Sequence, residues 1–101
     1  MVRHSVYFWL IDGLTAEQKS DFEKGMEALF EIDVVKKGNW GTAAATPERP
    51  VTDNGYDYTL ILEFDDVEGH NAYQVHDDHT VFVDSFRQWF DTVKIFDATI
   101  N

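Results

Sequence analysis

The pattern that most constrains the fold of this chain is the alternation of its first segment, which runs from Val2 to Ile11. Side chains that alternate with period two indicate a β-strand, and Asp12 and Gly13 end the pattern. One face of the predicted strand carries Val2, His4, Val6, Phe8 and Leu10, and the other carries Arg3, Ser5, Tyr7, Trp9 and Ile11. Because both faces contain large apolar side chains, we expect both to be covered by protein.

A helix is predicted directly after this strand. Thr15 and Gln18 have the spacing of a capping box, in which each side chain accepts from the backbone N–H of the other residue. The helix should extend to about Phe30 and bury a stripe made of Phe22, Met26, Leu29 and Phe30. Gly25 lies within this stripe and lowers helix stability by about 1 kcal/mol relative to alanine. We expect this glycine to allow close approach to the sheet.

The rest of the chain predicts three further strands and more helix. These elements are a strand at Val34 to Trp40, a loop at 42–55, a strand at Tyr56 to Phe64, helical pieces from Val67 to Phe90 that break near Asp77, and a strand at Val93 to Asp97. The resulting order, β-α-β-β-α-β, predicts one ferredoxin-like α+β domain over residues 1–101. Its four-stranded antiparallel sheet should carry helices on one face.

The second face of this sheet is predicted to be too apolar for exposure to water. It would show Tyr7, Trp9, Ile11, Ile61 and Phe96. A two-fold partner that packs sheet against sheet is the simplest cover for such a face. We therefore expect a homodimer in which two sheets form a dimeric α/β barrel.

The charge of the chain argues against anionic partners. Net charge is −11, from 19 acidic and 8 basic residues, and the basic residues are scattered along the sequence. A protein that binds nucleic acid needs a basic face that displaces counterions from phosphates. We therefore expect no nucleic-acid or membrane partner.

Cysteine usage and the first residues indicate a cytoplasmic protein. The chain contains no cysteine, so disulfides, thiolate nucleophiles and Cys-ligated zinc are excluded. The sequence begins with a strand pattern and lacks the charged and apolar regions of a signal peptide.

Four segments of the chain resemble the dimeric α/β-barrel family, also called the stress-responsive A/B barrel (Dabb) family. They are VRHSVYFWL, VKKGNWG, YDYTLILEFDDVEGHNAYQVHDDH and WFDTVKIFD, in the order and spacing of the family. The histidine of the first strand and the Tyr-x-x-His-x-x-His run are the most specific parts of this resemblance. The family typically has His-Pro-x-His where this chain has Asp77 in the proline position. We expect Asp77 to raise the pKa of the neighbouring histidines.

The resemblance implies two kinds of function. Many members are stress-associated proteins with no assigned reaction, and some are plant polyketide cyclases. In the cyclases a histidine base and a tyrosine donor close a ring by an aldol-type reaction without a cofactor. The matching positions are His79 for the base and Tyr73 for the donor, and His4 matches a further pocket histidine.

The residues themselves support a pocket between sheet and helices. Tyr73, His76 and His79 are spaced i, i+3, i+6, which puts neighbouring members on one side of a continuous helix. His4 shares the strand face that we assign to the helices. We expect these groups to converge on an apolar cavity, where His4 and His76 bind substrate together with Phe8, Leu60, Phe82 and Phe86.

Other functions fit the same residues. The pocket could serve a non-catalytic stress-response or ligand-binding domain, and the fold is also similar to that of cofactor-free monooxygenases. Each residue has a structural interpretation as well: His4 could satisfy a buried hydrogen bond, and His76 could cap a helix C-terminus. His76 and His79 with Asp77 or Asp78 resemble a metal site by composition, but a pair at i, i+3 is a weak signal. We expect no metal and no cofactor.

Overall fold

A computed structural model describes all 101 residues, and its elements follow the predicted order. They are β1 (Val2–Leu10), α1 (Ala16–Leu29), β2 (Lys37–Gly41), β3 (Tyr58–Phe64), α2 (Val67–Gln74), α3 (Asp77–Phe86), a short 3-10 turn (Arg87–Trp89) and β4 (Phe90–Thr99). The strands form one antiparallel sheet in the order β2-β3-β1-β4. The predicted α+β ferredoxin-like fold is confirmed.

The alternation of β1 directs one set of its side chains into the core. Val2, His4, Val6, Phe8 and Leu10 are all buried. β1 lies between β3 and β4, so that Val6 pairs with Leu60 on one side and Ile95 on the other. Because this strand is central, its buried face anchors the packing of the helices on the sheet.

The capping box at the start of α1 forms as predicted. The Thr15 hydroxyl accepts from the Gln18 N–H at 3.1 Å, and the Thr15 N–H donates to the Gln18 side chain at 2.8 Å. Of the predicted stripe, Phe22, Met26 and Leu29 are fully buried, whereas Phe30 is only partly buried because the helix ends at Leu29.

Gly25 permits a different contact from the one we expected. A Cβ atom at this position would collide with the ring of Phe86 in α3. The expectation of close approach to the sheet was therefore wrong, since the glycine brings α1 and α3 together.

The ends of several elements differ from the sequence prediction, because they depend on contacts with other parts of the chain. Residues before Lys37 form a turn in which the Val35 N–H donates to the Ile32 carbonyl, so β2 starts later than Val34. α3 ends at Phe86, and Phe90 begins β4 instead of ending a helix. β4 is longer than predicted because it pairs with β1 from Phe90 to Thr99.

The sheet face turned away from the helices is aromatic, and we call it the outer face. Tyr7 lies between Tyr56, at 4.9 Å between ring centroids, and Phe96, at 6.1 Å. Lys94 Nζ lies 5.3 Å from the centroid of the Trp9 ring. Phe96 is 61% exposed in the single chain.

None of the helices combines the length and apolar composition needed to span a membrane.

Candidate functional site

A cavity of about 180 Å³ lies between the sheet and the helices α2 and α3. Its polar lining residues are His4, Tyr73, Gln74 and His79, and its apolar lining comes from β1, β3, α3 and β4. Val93 and Ile95 belong to this lining and are 38% and 51% exposed. The cavity therefore opens to solvent along the β4 edge of the sheet.

The structure brings together six of the eight site residues named from the sequence. The six that line the cavity are His4, Tyr73, His79, Phe8, Leu60 and Phe82. His76 and Phe86 lie outside it. Phe86 packs on Phe22 at 5.3 Å between ring centroids and lines a groove between α1 and α3 instead.

His76 is excluded from the cavity because the helix breaks beside it. α2 ends at Gln74, and His76 is the N-cap residue of α3, where its Nδ1 accepts from the Asp78 N–H at 3.0 Å. The spacing i, i+3, i+6 therefore does not run along one helix. His76 therefore caps a helix N-terminus, whereas its structural interpretation from the sequence was a cap at a helix C-terminus.

Tyr73 and His79 meet across the turn between α2 and α3. Their ring centroids are 4.8 Å apart with an interplanar angle of 67°. Tyr73 is 2% exposed, and burial raises the pKa of its hydroxyl, so it stays protonated as a hydrogen-bond donor. The two rings place a hydrogen-bond donor and a proton acceptor side by side in a cavity whose lining is mostly apolar.

The surroundings of His79 lower the pKa of its ring and so favour the neutral form. Burial lowers the pKa of its ring, the nearby His4 and His70 lower it further, and a hydrogen bond to the Gln74 backbone opposes this. Asp77 is not among the causes of the shift, so the expectation that Asp77 raises the pKa of His79 was wrong. Asp77 is exposed, and water screens the charge of its carboxylate from the partly buried ring of His79.

His4 extends the polar part of the cavity wall toward β4. His4 is 2% exposed. Its Nδ1 lies 2.5 Å from Oδ1 of Asp97, which is its partner in the pairing of β1 with β4. Its ring centroid is 5.9 Å from that of Tyr73. Burial lowers the pKa of His4 even though Asp97 acts in the opposite direction.

Sequence reasoning missed two residues of this region, His70 and Asp97. The ring centroid of His70 is 4.9 Å from that of His4, and its Nε2 lies 3.8 Å from Asp97 Oδ2. A signal for His70 was present, because it precedes Tyr73 by three residues and so shares a helix face with it. Asp97 carried no local signal, since only the strand register puts it opposite His4.

The chain matches a known family and shares its fold with solved structures. The family model described as Stress Responsive A/B Barrel Domain matches residues 2–100. The chain is 28% identical to olivetolic acid cyclase from Cannabis sativa over 99 residues. This alignment covers 97% of this chain and 95% of the cyclase.

Two solved structures show the same fold. A protein from Arabidopsis thaliana superposes with a TM-score of 0.84 at 24% identity, over 100% of this chain and 96% of that one. A dimeric ferredoxin-like protein of unknown function from Thermobifida fusca has a TM-score of 0.80 at 21% identity, over 98% and 90% of the two chains. Several structural neighbours of this chain are dimeric proteins.

Proposed function

Because this chain belongs to the stress-responsive A/B barrel domain family, we propose that it is a cofactor-independent enzyme of the polyketide cyclase type. Its substrate would be a small, partly apolar carbonyl compound. In this proposal His79 is the general base and Tyr73 donates a hydrogen bond to the developing enolate oxygen. The similarity to olivetolic acid cyclase supports the reaction class.

The reaction would begin with proton transfer to His79. The neutral imidazole takes a proton from the carbon next to a carbonyl group, and the C–H bonding electrons form the enolate. Tyr73 stabilises the negative charge on the enolate oxygen. The enolate carbon then bonds to a second carbonyl carbon of the same molecule, and the alkoxide that results takes the proton back from His79.

The contact between Tyr73 and His79 is the observation that carries this proposal. The ring of a buried tyrosine lies 4.8 Å from the ring of a histidine whose pKa is lowered, and both line one cavity. The remaining walls, to which Phe8, Leu60 and Phe82 contribute, are apolar and would exclude water from the enolate. His4 would contribute a further polar contact to the substrate.

Deuterium exchange tests the proton transfer without knowledge of the natural product. Small β-dicarbonyl compounds, first selected by thermal shift, are incubated with the protein in D2O, and the loss of the α-proton signal is followed by NMR. We expect exchange above the buffer rate, with a loss of about 10²–10⁴-fold in His79→Ala. Tyr73→Phe, which keeps the ring and removes the hydroxyl, should lose about 10²–10³-fold.

His76→Ala is the matched control for this experiment. It removes a histidine of the same motif that lies outside the cavity, and it should exchange at the wild-type rate. If His79→Ala exchanged as fast as the wild type, His79 would not be the base.

A non-catalytic binding domain is the second candidate, and for it, as for the enzyme, the cavity limits the ligand to a small molecule. Small-molecule sites usually enclose about 300–1,000 Å³, whereas this one has about 180 Å³. Compounds that raise the melting temperature, yet exchange no proton faster than in buffer, would support this candidate over the enzyme.

We also propose that the outer face is the interface of a homodimer. The dimeric state of structural neighbours and the exposed aromatic side chains of this face support it. Light scattering at micromolar concentration should give about twice the 11.7 kDa of one chain. A single species of chain mass would contradict the proposal.

A further inference from the structure

We propose that His4, His70 and Asp97 form a binding site for one divalent transition-metal ion of the zinc type, beside the cavity. One potential ligand atom from each residue lies within 4.8 Å of the other two. The three come from different elements, β1, α2 and β4, so the fold and not the local sequence assembles the cluster. The general base and the donor of the proposed reaction, His79 and Tyr73, are not ligands of this site.

The spacing of the ligand atoms is close to that of a bound zinc ion. Ligands about 2.0–2.1 Å from a tetrahedral zinc are roughly 3.3 Å from one another. In the structure, Asp97 Oδ1 lies 2.5 Å from His4 Nδ1, and Asp97 Oδ2 lies 3.8 Å from His70 Nε2. No two of the three ligand atoms are more than 4.8 Å apart, so each distance would have to change by at most about 1.5 Å to reach the value around zinc.

The ring of His70 is oriented for a metal. Its Nδ1 lies 3.1 Å from the amide oxygen of Asn71, an acceptor, and this contact favours the tautomer with the proton on Nδ1. In the neutral ring, the Nε2 lone pair then accepts from the Gln74 amide at 3.4 Å and lies 3.8 Å from Asp97 Oδ2, so a metal ion would displace the Gln74 contact. A hydrogen bond on the far nitrogen is the usual way in which proteins fix a metal-binding histidine.

A lone pair that faces a carboxylate oxygen is unfavourable unless a cation or a proton lies between them. A hydrogen bond already joins His4 and Asp97, since Nδ1 and Oδ1 are 2.5 Å apart. His70 and Asp97 are too far apart for a direct hydrogen bond at 3.8 Å. A divalent ion would take the place of the proton on His4 Nδ1 and join all three groups, and the neutral ring of His4 would then carry its single proton on Nε2.

The composition of the cluster selects the kind of ion. Two imidazoles and one carboxylate suit zinc and its neighbours in the transition series, whereas magnesium and calcium prefer oxygen ligands throughout. Three protein ligands leave one tetrahedral position open. The side chains of His4, His70 and Asp97 are 3%, 17% and 45% exposed, so an ion can reach the cluster from the Asp97 side.

Titration calorimetry with ZnCl2 on the full, tag-free chain tests the site. We expect one zinc ion per chain, and a loss of affinity of at least about tenfold in His70→Ala and in Asp97→Asn. Tetrahedral absorption bands should appear when CoCl2 replaces zinc and should disappear in His70→Ala. His70→Gln is the second variant if His70→Ala fails to fold by circular dichroism.

His76→Ala is the matched control, because His76 is an exposed histidine 3.9 Å from an aspartate, Asp78. It should bind zinc as the wild type does. Absence of binding by the wild type, equal affinity in His70→Ala, or loss of binding in His76→Ala would each overturn the proposal. Deuterium exchange is measured separately, so failure of the metal site leaves the assignment of His79 intact.

Discussion

The two faces of the sheet both carry aromatic side chains, but these side chains are in different environments. On the helix-covered face, Phe22 is fully buried and the centroids of five aromatic rings lie 5.1–6.3 Å from its own. On the outer face, Phe96 remains 61% exposed. Aromatic content alone therefore does not separate a core from an interface, because the difference arises from which face the helices cover.

Phe22→Ala should have the largest effect, since it acts on the covered face. It removes the ring at the centre of the aromatic cluster and leaves a cavity, so we expect a loss of about 3–5 kcal/mol in the free energy of unfolding. Urea unfolding followed by circular dichroism, at one protein concentration for both proteins, measures this loss. A loss below about 1 kcal/mol would mean that the covered face is not the main source of stability.

A substitution on the outer face should change association more than folding. Phe96→Ser removes an exposed ring, and we expect dimer dissociation to become easier by about 2 kcal/mol, which is roughly thirtyfold in Kd. Sedimentation equilibrium measures this change. Val81→Ser is the matched control, because Val81 is 62% exposed but lies on α3, and it should leave Kd unchanged. Equal effects of both substitutions would contradict the outer face as the interface.

The smallest effect should be a pH dependence that belongs to the covered face. Burial lowers the pKa of both His4 and His79 below 6.5. The unfolded chain then binds more protons than the native one below that pH, so stability should fall as pH decreases from about 6.5. Urea unfolding at about pH 7.5 and 5.5 measures the slope, above the range where most carboxylates titrate.

His4→Gln combined with His79→Gln supplies the control for this slope, because it removes both buried imidazoles. The variant should show a flatter pH dependence in this range. A slope that was unchanged in the variant would assign the pH dependence to other groups.

Part of the candidate site was predictable and part was not. Tyr73 and His79 were found because the motif that contains them is local, and His4 was found because the alternation of β1 turns it inward. His76 was assigned to the cavity on the assumption of one continuous helix. The helix breaks after Gln74, so that assignment was wrong. Phe86 was assigned to the cavity from helical periodicity alone. Periodicity does not show that its ring lies against Gly25 of α1.

Local patterns were enough to predict the order of elements, the inward face of β1 and the start of α1, because these depend on side-chain periodicity and on capping within a few residues. Only the three-dimensional fold shows how long β4 is, which side chain packs on Gly25, and that His4, His70 and Asp97 lie close together. These features depend on strand register and on helix packing between residues up to 93 positions apart. Local patterns do not carry that information, since register is set by the whole sheet.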